Sequence, residues 1–275
     1  MAVYITSLNS GSNGNCYYIG NENEAILIDA GISCGETVKR MKKLGLRMDA
    51  IKAIFISHEH SDHIAGVQGL VRKFHLPIFI TPKTYLNSGL ALETSERFDF
   101  KAGQPTVIGN LSIIAFPKSH DAADPHSFMI SSGKINVGVF TDIGYPCEKV
   151  IDEFKKCDAA FLESNYCEQL LAEGKYPESL KKRISSDAGH LSNFQALKLF
   201  TSHRGIHLRH LILSHLSRNN NKVSLVRQIF EDVAGDTAIT VASRYRETPL
   251  IRLETKNLTE KGQKKTVKFT QLSIF

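Results

Sequence analysis

The sequence has few cysteines and no pattern for pairing them. Cys16, Cys34, Cys147, Cys157 and Cys167 are odd in number, and no two form a Cys-x-x-Cys pair. That argues against a disulfide framework and suits reduced thiols in a cytoplasm. Long apolar runs are also missing. None approaches the roughly 18 residues of a membrane helix, so no span is expected. The start, Met1-Ala2-Val3-Tyr4-Ile5, reads directly as a strand. It has no basic segment leading into an apolar one, so no signal peptide is expected. There is no clean repeat of roughly 20–50 residues to indicate a solenoid, and no Gly/Ser/Pro-rich linker divides the chain. Neither charge dominates strongly: the net charge of +6 favours an anionic partner without naming one.

What is present is ordinary in bulk and unusual in one place. With 275 residues, 42% hydrophobic and 23% charged, the chain can bury a substantial core as one large domain or two small ones. The unusual place is Ser57-His58-Glu59-His60-Ser61-Asp62-His63. It follows an apolar run over residues 51–56 that reads as a buried strand. It precedes Ile64, Val67, Leu70, Val71 and Phe74, the inward stripe of one helix. Three imidazoles and a carboxylate thus share a short turn at the carboxyl end of a strand, where open α/β sheets place their sites. Imidazole and carboxylate are preferred ligands of zinc, manganese and iron.

Earlier in the chain, residues 3–8, 15–19 and 25–29 read as strands. The turn Ser10-Gly11-Ser12-Asn13-Gly14-Asn15 is either a tight hairpin or a phosphate cradle. Asp29 is placed to brace a metal loop or to bond local backbone amides. Val38, Met41 and Leu44 form a helical stripe. A strand over 78–80, a helix opening near Pro82 and a β-rich section over 98–140 follow. The second half predicts strands at 159–162 and 211–213, with helices around Leu170 and Leu180. Further helical stripes are expected at Phe194, Leu197 and Phe200, and at Val223, Val226, Phe230 and Val233. Periodicity supports only a mixed α and β protein; the order of elements accommodates two stacked sheets with helices outside.

A two-metal site needs further donors at strand ends. His120 follows the strand over 111–116, Asp142 the strand over 135–140, and His215 the strand over 211–213. His75, His203, His207 and His210 are expected to be structural or superficial, and His126 is left open.

Together, His58-x-His60-x-Asp62-His63, His120, Asp142 and His215 resemble the ligand series of the metallo-β-lactamase superfamily. The resemblance implies an α+β fold, a four-layer αββα sandwich, over residues 1–255. It implies one divalent ion on His58, His60 and His120, a second on Asp62, His63 and His215, and Asp142 bridging both. The ions would be zinc, manganese or iron. Leu213-Ser214-His215-Leu216 and Gly189-His190-Leu191-Ser192-Asn193 are similar to motifs of ribonuclease Z. Ser7-Leu8-x-Ser10-Gly11-Ser12-x-Gly14-Asn15, Thr141-Asp142-x-Gly144-Tyr145 and Glu163-Ser164-Asn165 resemble the YycJ (WalJ) branch of bacterial enzymes. That branch implies a 5′→3′ DNA exonuclease linked to mismatch repair, acting on single-stranded DNA or a duplex end.

The mechanism expected on that basis uses a hydroxide between the two ions to attack phosphorus, with Asp62 and Asp142 beside it. His190 protonates the leaving oxygen, unless it merely precedes a helix capped by Ser192. Ser10, Ser12, Asn15, Ser192 and Asn193 are expected to orient the phosphate. A thioester or lactone hydrolase of the glyoxalase II kind, or a small cyclic-phosphodiester hydrolase, is the alternative. Residues 256–275 change in composition to a basic, polar tail. It ends on Gln271-Leu272-Ser273-Ile274-Phe275, which resembles the motif by which bacterial proteins bind the sliding clamp. There Leu272, Ile274 and Phe275 would fill an apolar cleft while Gln271 fixes register.

Overall fold

The computed structural model describes residues 2–254. The basic segment 256–268 and the clamp-like residues 271–275 lie outside the described residues. Two seven-stranded sheets, counted among the described residues, face each other. The first runs β14 (Ile251–Glu254), β1 (Ala2–Asn9), β2 (Cys16–Gly20), β3 (Ala25–Ile28), β4 (Ile51–Phe55), β5 (Ile78–Phe79), β6 (Arg97–Phe98). The second runs β13 (Ala238–Val241), β12 (His210–Ser214), β11 (Ala159–Glu163), β10 (Ile135–Phe140), β9 (His126–Ser132), β8 (Leu111–Pro117), β7 (Pro105–Ile108). Strands β3 to β6 are mutually parallel, as are β10 to β13; the remaining pairs are antiparallel.

The apolar residues sort into three layers. Ile5, Tyr17 and Phe55 of the first sheet meet Phe128, Val137 and Phe161 of the second between the sheets. Phe55 stacks on Phe79 and meets Phe128 edge-on at 5.9 Å, which ties the sheets together; such pairs contribute about 0.5–1.5 kcal/mol beyond their burial. On the outer face of the first sheet, α1 (Cys34–Lys43) and α3 (Val67–Phe74) bring Met41, Leu70 and Val71 onto Leu27 and Ile54. On that of the second, α5 (Glu148–Phe154), α8 (Asn193–His203) and α9 (Val223–Glu231) bring Phe154, Phe200 and Phe230 onto Leu162 and Leu213. The αββα sandwich expected from the resemblance is the fold observed. Smaller helices complete it: α2 (Ser61–Ile64), α4 (Pro82–Ser88), α6 (Glu168–Glu173) and α7 (Glu178–Ile184). No helix among the described residues is long and apolar enough to cross a membrane.

Three expectations change. The single helix over 64–74 is broken into α2 and α3 at Gly66. That backbone N–H bonds the carbonyl of Ala30 at 2.7 Å, and a Cβ there would lie 1.9 Å from the carbonyl of Ile32. The close approach of the loop after β3 redirects the chain. The buried side of α8 is Asn193, Ala196, Leu199 and Phe200, and Phe194 is 64% exposed. The helix turns its polar Asn193 inward because that amide pairs with Asn221 and accepts from Ser164 Oγ. In α9 only Val226 and Phe230 are buried; Val223, at its start, and Val233, two residues past its end, are exposed.

Candidate metal centre

The site is assembled from the loops after β3, β4, β8, β10, β11 and β12. After β3, Asp29 adopts a left-handed backbone with φ 60°, which is uncommon for a residue other than glycine. Its carboxylate accepts from Ser57 N and Ser57 Oγ, each at 2.8 Å, and from His63 Nδ1 at 2.7 Å. A carboxylate only accepts here, so the proton sits on Nδ1 and His63 presents Nε2 to the cleft. Asp29 therefore braces the loop after β4, and the amide it accepts from lies 28 residues away rather than nearby in the chain.

The loop after β4 is held from both sides. Asn15 N–H bonds the carbonyl of Asp62 at 2.7 Å, and Ala30 N–H bonds that of His63 at 2.8 Å. Gly31 lies so close that a Cβ there would sit 1.7 Å from the Asp62 carbonyl oxygen. The remaining residue of the loop, Glu59, reaches across to Ala123 N–H at 2.7 Å and so joins it to the loop bearing His120.

Two groups of donors result. His58 Nε2 lies 3.1 Å and His120 Nε2 lies 3.4 Å from His60 Nδ1. His120 Nδ1 donates to the carbonyl of Gly189 at 3.0 Å, which leaves Nε2 as the inward nitrogen. In the other group, Asp62 Oδ2 lies 3.6 Å from His63 Nε2 and 3.5 Å from His215 Nε2. Asp142 stands between them, Oδ2 3.2 Å from His63 Nε2 and Oδ1 3.9 Å from His120 Nε2. Asp142 and His215 also have left-handed backbones, each with φ 56°. Conformations of this kind cost on the order of 1–3 kcal/mol and persist where surrounding contacts impose them.

Electrostatics divides the histidines. Burial among other imidazoles holds His58 well below its usual range and His120 at about 4, so both are neutral with a free lone pair. Burial opposes charge on His63 too, yet Asp142, Asp29 and Asp62 raise it to about 10. His215 is raised likewise against burial by Asp142, Asp62 and Glu163. Against burial, His63 and His215 pull Asp62 down to about 2 and hold Asp142 well below the carboxylate range.

These residues fit a metal ion. His58 Nε2 and His120 Nε2 converge on His60 Nδ1, and Asp142 Oδ2 and His215 Nε2 are buried without a hydrogen bond. Among the described residues, four overlapping sets of donors could each hold an ion, the donor atoms of a set lying within 4.8 Å of one another. One set includes Glu163, but its oxygens are already occupied. Glu163 accepts from His190 Nδ1 at 2.8 Å, His215 Nδ1 at 2.9 Å, Ile143 N at 2.7 Å and Leu191 N at 3.2 Å. We read Glu163 as the support of two histidines rather than as a ligand. Burial would raise its pKa, yet His190 and His215 bring it to about 2.

The donors open onto a cleft of about 400 Å³ with Ser12 and His190 on its wall and Tyr176, Leu180 and Arg183 on its rim. Residues 10–152 match the profile of the metallo-beta-lactamase superfamily. The chain belongs to that superfamily. Among its relatives, the Bacillus anthracis protein named exodeoxyribonuclease YycJ is 32% identical, over 89% of this chain and 94% of that one. Exodeoxyribonuclease WalJ of Streptococcus pneumoniae serotype 2 is 32% identical over 78% of this chain and 81% of that one. The crystal structure of the metallo-beta-lactamase fold protein YhfI from Bacillus subtilis shares the fold. It has a TM-score of 0.69 and 18% identity, covering 90% of this chain and 99% of that one.

Within this superfamily scaffold, several residues expected at the phosphate have other partners. Ser10 Oγ accepts from His215 N at 2.7 Å and meets Tyr17 Oη at 2.8 Å. Asn15 Nδ2 faces Asp62 Oδ2 at 3.2 Å and His63 Nε2 at 3.1 Å, while its Oδ1 accepts from Gly11 N and Tyr17 Oη. Ser192 caps α8 through Gln195 N, as the simpler reading of that loop had it. Asn193 is buried in its pairing with Asn221. These four hold the site's framework and only Ser12 of the expected set reaches the cleft. His126, left open from sequence, bonds the carbonyl of Asp124 and lies apart from the donors. Sequence reasoning quoted Glu163 only within a family stretch and gave it no role, although the strand-end rule that found Asp142 applies equally to the last residue of β11. Asn165 of the same stretch likewise had no role assigned; its Nδ2 donates to the carbonyl of His215 at 2.8 Å. Lys118, buried, bonds the carbonyl of Thr141 at 2.6 Å and steadies the turn that carries Asp142.

Proposed function

We propose that this protein is a dinuclear-metal-dependent phosphodiesterase, a 5′→3′ DNA exonuclease serving DNA repair in the cytoplasm. One observation carries the proposal: Asp142, whose buried Oδ2 has no hydrogen bond, lies between two groups of inward-facing donors. His58, His60 and His120 would hold one ion and Asp62, His63 and His215 the other, with Asp142 placed to serve either. Zinc, manganese or iron in these places would supply Lewis acidity to water and neutralise charge on the substrate phosphate.

The chain's own residues do the rest. Asp29 and Glu163 fix the tautomers of His63 and His215. Because Glu163 occupies His190 Nδ1, the proton passed to the leaving oxygen comes from His190 Nε2. Ser12 N–H or hydroxyl orients a non-bridging oxygen. The choice of DNA rests on relatives named exodeoxyribonucleases that match most of the chain. The same reading makes Gln271, Leu272, Ile274 and Phe275 a ligand of the bacterial sliding clamp, tethering the enzyme to DNA.

Metal analysis combined with turnover on labelled single-stranded DNA tests this. Manganese-loaded enzyme is expected to release nucleotides from the 5′ end, and to leave a thioester and a lactam intact. Thioester hydrolysis without DNA cleavage would replace the proposal with the glyoxalase II reading.

A further inference from the structure

Beside the metal cleft lies a second, smaller hollow of about 140 Å³, and the two share Ser217 in their walls. Its lining includes Ser10, Arg218, Val223, Arg244 and Tyr245, and no carboxylate. Among the described residues neither guanidinium pairs with an acid. Tyr245 is 70% exposed and Val223 52%, both unusual for their types.

The backbone beneath these side chains is pinned. Ser10 N–H bonds the carbonyl of Ser243 at 3.1 Å, and Asn13 Nδ2 bonds that of Arg244 at 2.9 Å. Arg40, buried under the loop, donates to the carbonyl of Tyr245 at 3.4 Å. Three successive carbonyls are thus held by the N-terminal turn and α1, while the side chains of Arg244 and Tyr245 remain outside. The same turn reaches the metal site, because Ser10 Oγ accepts from His215 N. Two guanidinium groups without an acidic partner and an exposed ring thus line one hollow, with Arg218 three residues after the proposed metal donor His215.

We infer that this hollow seats the nucleotide neighbouring the scissile phosphodiester, with Arg218 and Arg244 on its phosphate and a base stacked on Tyr245. The inference rests on the phosphodiesterase reading above and adds where the strand runs: from the cleft across Ser217 towards Arg244. The partner is single-stranded nucleic acid. Unpaired guanidinium groups complement its backbone, and an exposed ring offers stacking that every base can use. A duplex would keep its bases away from Tyr245.

The test measures binding apart from turnover. Fluorescein-labelled oligothymidylate is titrated in EDTA with wild type, Arg218→Ala/Arg244→Ala, Tyr245→Ala and Tyr245→Phe. Removing both cations should flatten the dependence of log affinity on log salt by about 1.4. Tyr245→Ala should weaken binding about tenfold, and Tyr245→Phe should restore it. Hydrolysis of bis(p-nitrophenyl) phosphate by the manganese-loaded variants should match wild type, which excludes misfolding because that substrate does not reach the hollow. Unchanged affinity and salt slope in the double variant would overturn the inference, whatever the enzyme cleaves. Loss of binding in the variants, with a wild type that cleaves no oligonucleotide, would leave the surface standing and remove the nuclease reading.

Discussion

Glu163→Gln is the sharpest perturbation of this site, because it keeps the shape and removes one charge. Glu163 is fully buried and accepts from two backbone N–H groups and two imidazole Nδ1–H groups. Glutamine offers only one oxygen. The backbone donors Ile143 and Leu191 cannot change, so that oxygen stays with them and the NH2 group meets His190 and His215. Both rings must then accept at Nδ1, which moves their protons to Nε2, the nitrogen His215 needs for an ion. Charge-assisted hydrogen bonds contribute roughly 1.5–3 kcal/mol each, and a neutral amide recovers part of two of them. The metal-free variant should therefore lose about 3 kcal/mol in urea unfolding. Its affinity for manganese or zinc, measured by competition with a chelator, should fall roughly 10- to 100-fold, the usual effect of losing an outer partner of a ligand. A variant that binds ions as wild type does would refute the assignment of Glu163 as the support of His215.

Gly31→Ala forces a Cβ to within 1.7 Å of the Asp62 carbonyl and 2.6 Å of Asn15 N. It should cost about 1–3 kcal/mol by overpacking and lower metal affinity as Asp62 shifts, seen by melting and ion titration. In EDTA, stability should be highest near pH 6.5, because His58 and His120 are held below that value and cost stability as pH falls beneath it. Asp62 and Glu163 are depressed to about 2 from 3.8 and 4.5, so their contribution is complete above the higher value and lost as pH falls towards 2. His63 is raised from 6.5 to about 10, so its contribution is complete below 6.5 and lost as pH rises through 10. Saturating manganese should abolish the alkaline decline by displacing the His63 proton; urea midpoints that still fall there would contradict the ligand set. Deleting residues 271–275 should abolish binding to the sliding clamp in calorimetry without altering hydrolysis of bis(p-nitrophenyl) phosphate, and retained binding would end that part of the proposal.

The sequence alone determined what local spacing can express. His58, His60, Asp62 and His63 share one turn after an apolar strand, so their proximity follows from the chain's short reach. Placement after predicted strands then added His120, Asp142 and His215, and the family resemblance supplied the sandwich. Tertiary structure decided everything that depends on which distant residue arrives opposite. Ser10 and Asn15 read equally well as phosphate contacts until His215 N and Asp62 were seen to occupy them. The inward face of α8 follows Asn193 rather than Phe194, because a buried amide partner on another loop outweighs an apolar count. Glu163 gains its meaning from two histidines that lie 27 and 52 positions further along the chain. Hydrogen bonds across such separations leave no periodicity in a sequence, since burial and pairing are set by packing of the two sheets rather than by neighbouring residues.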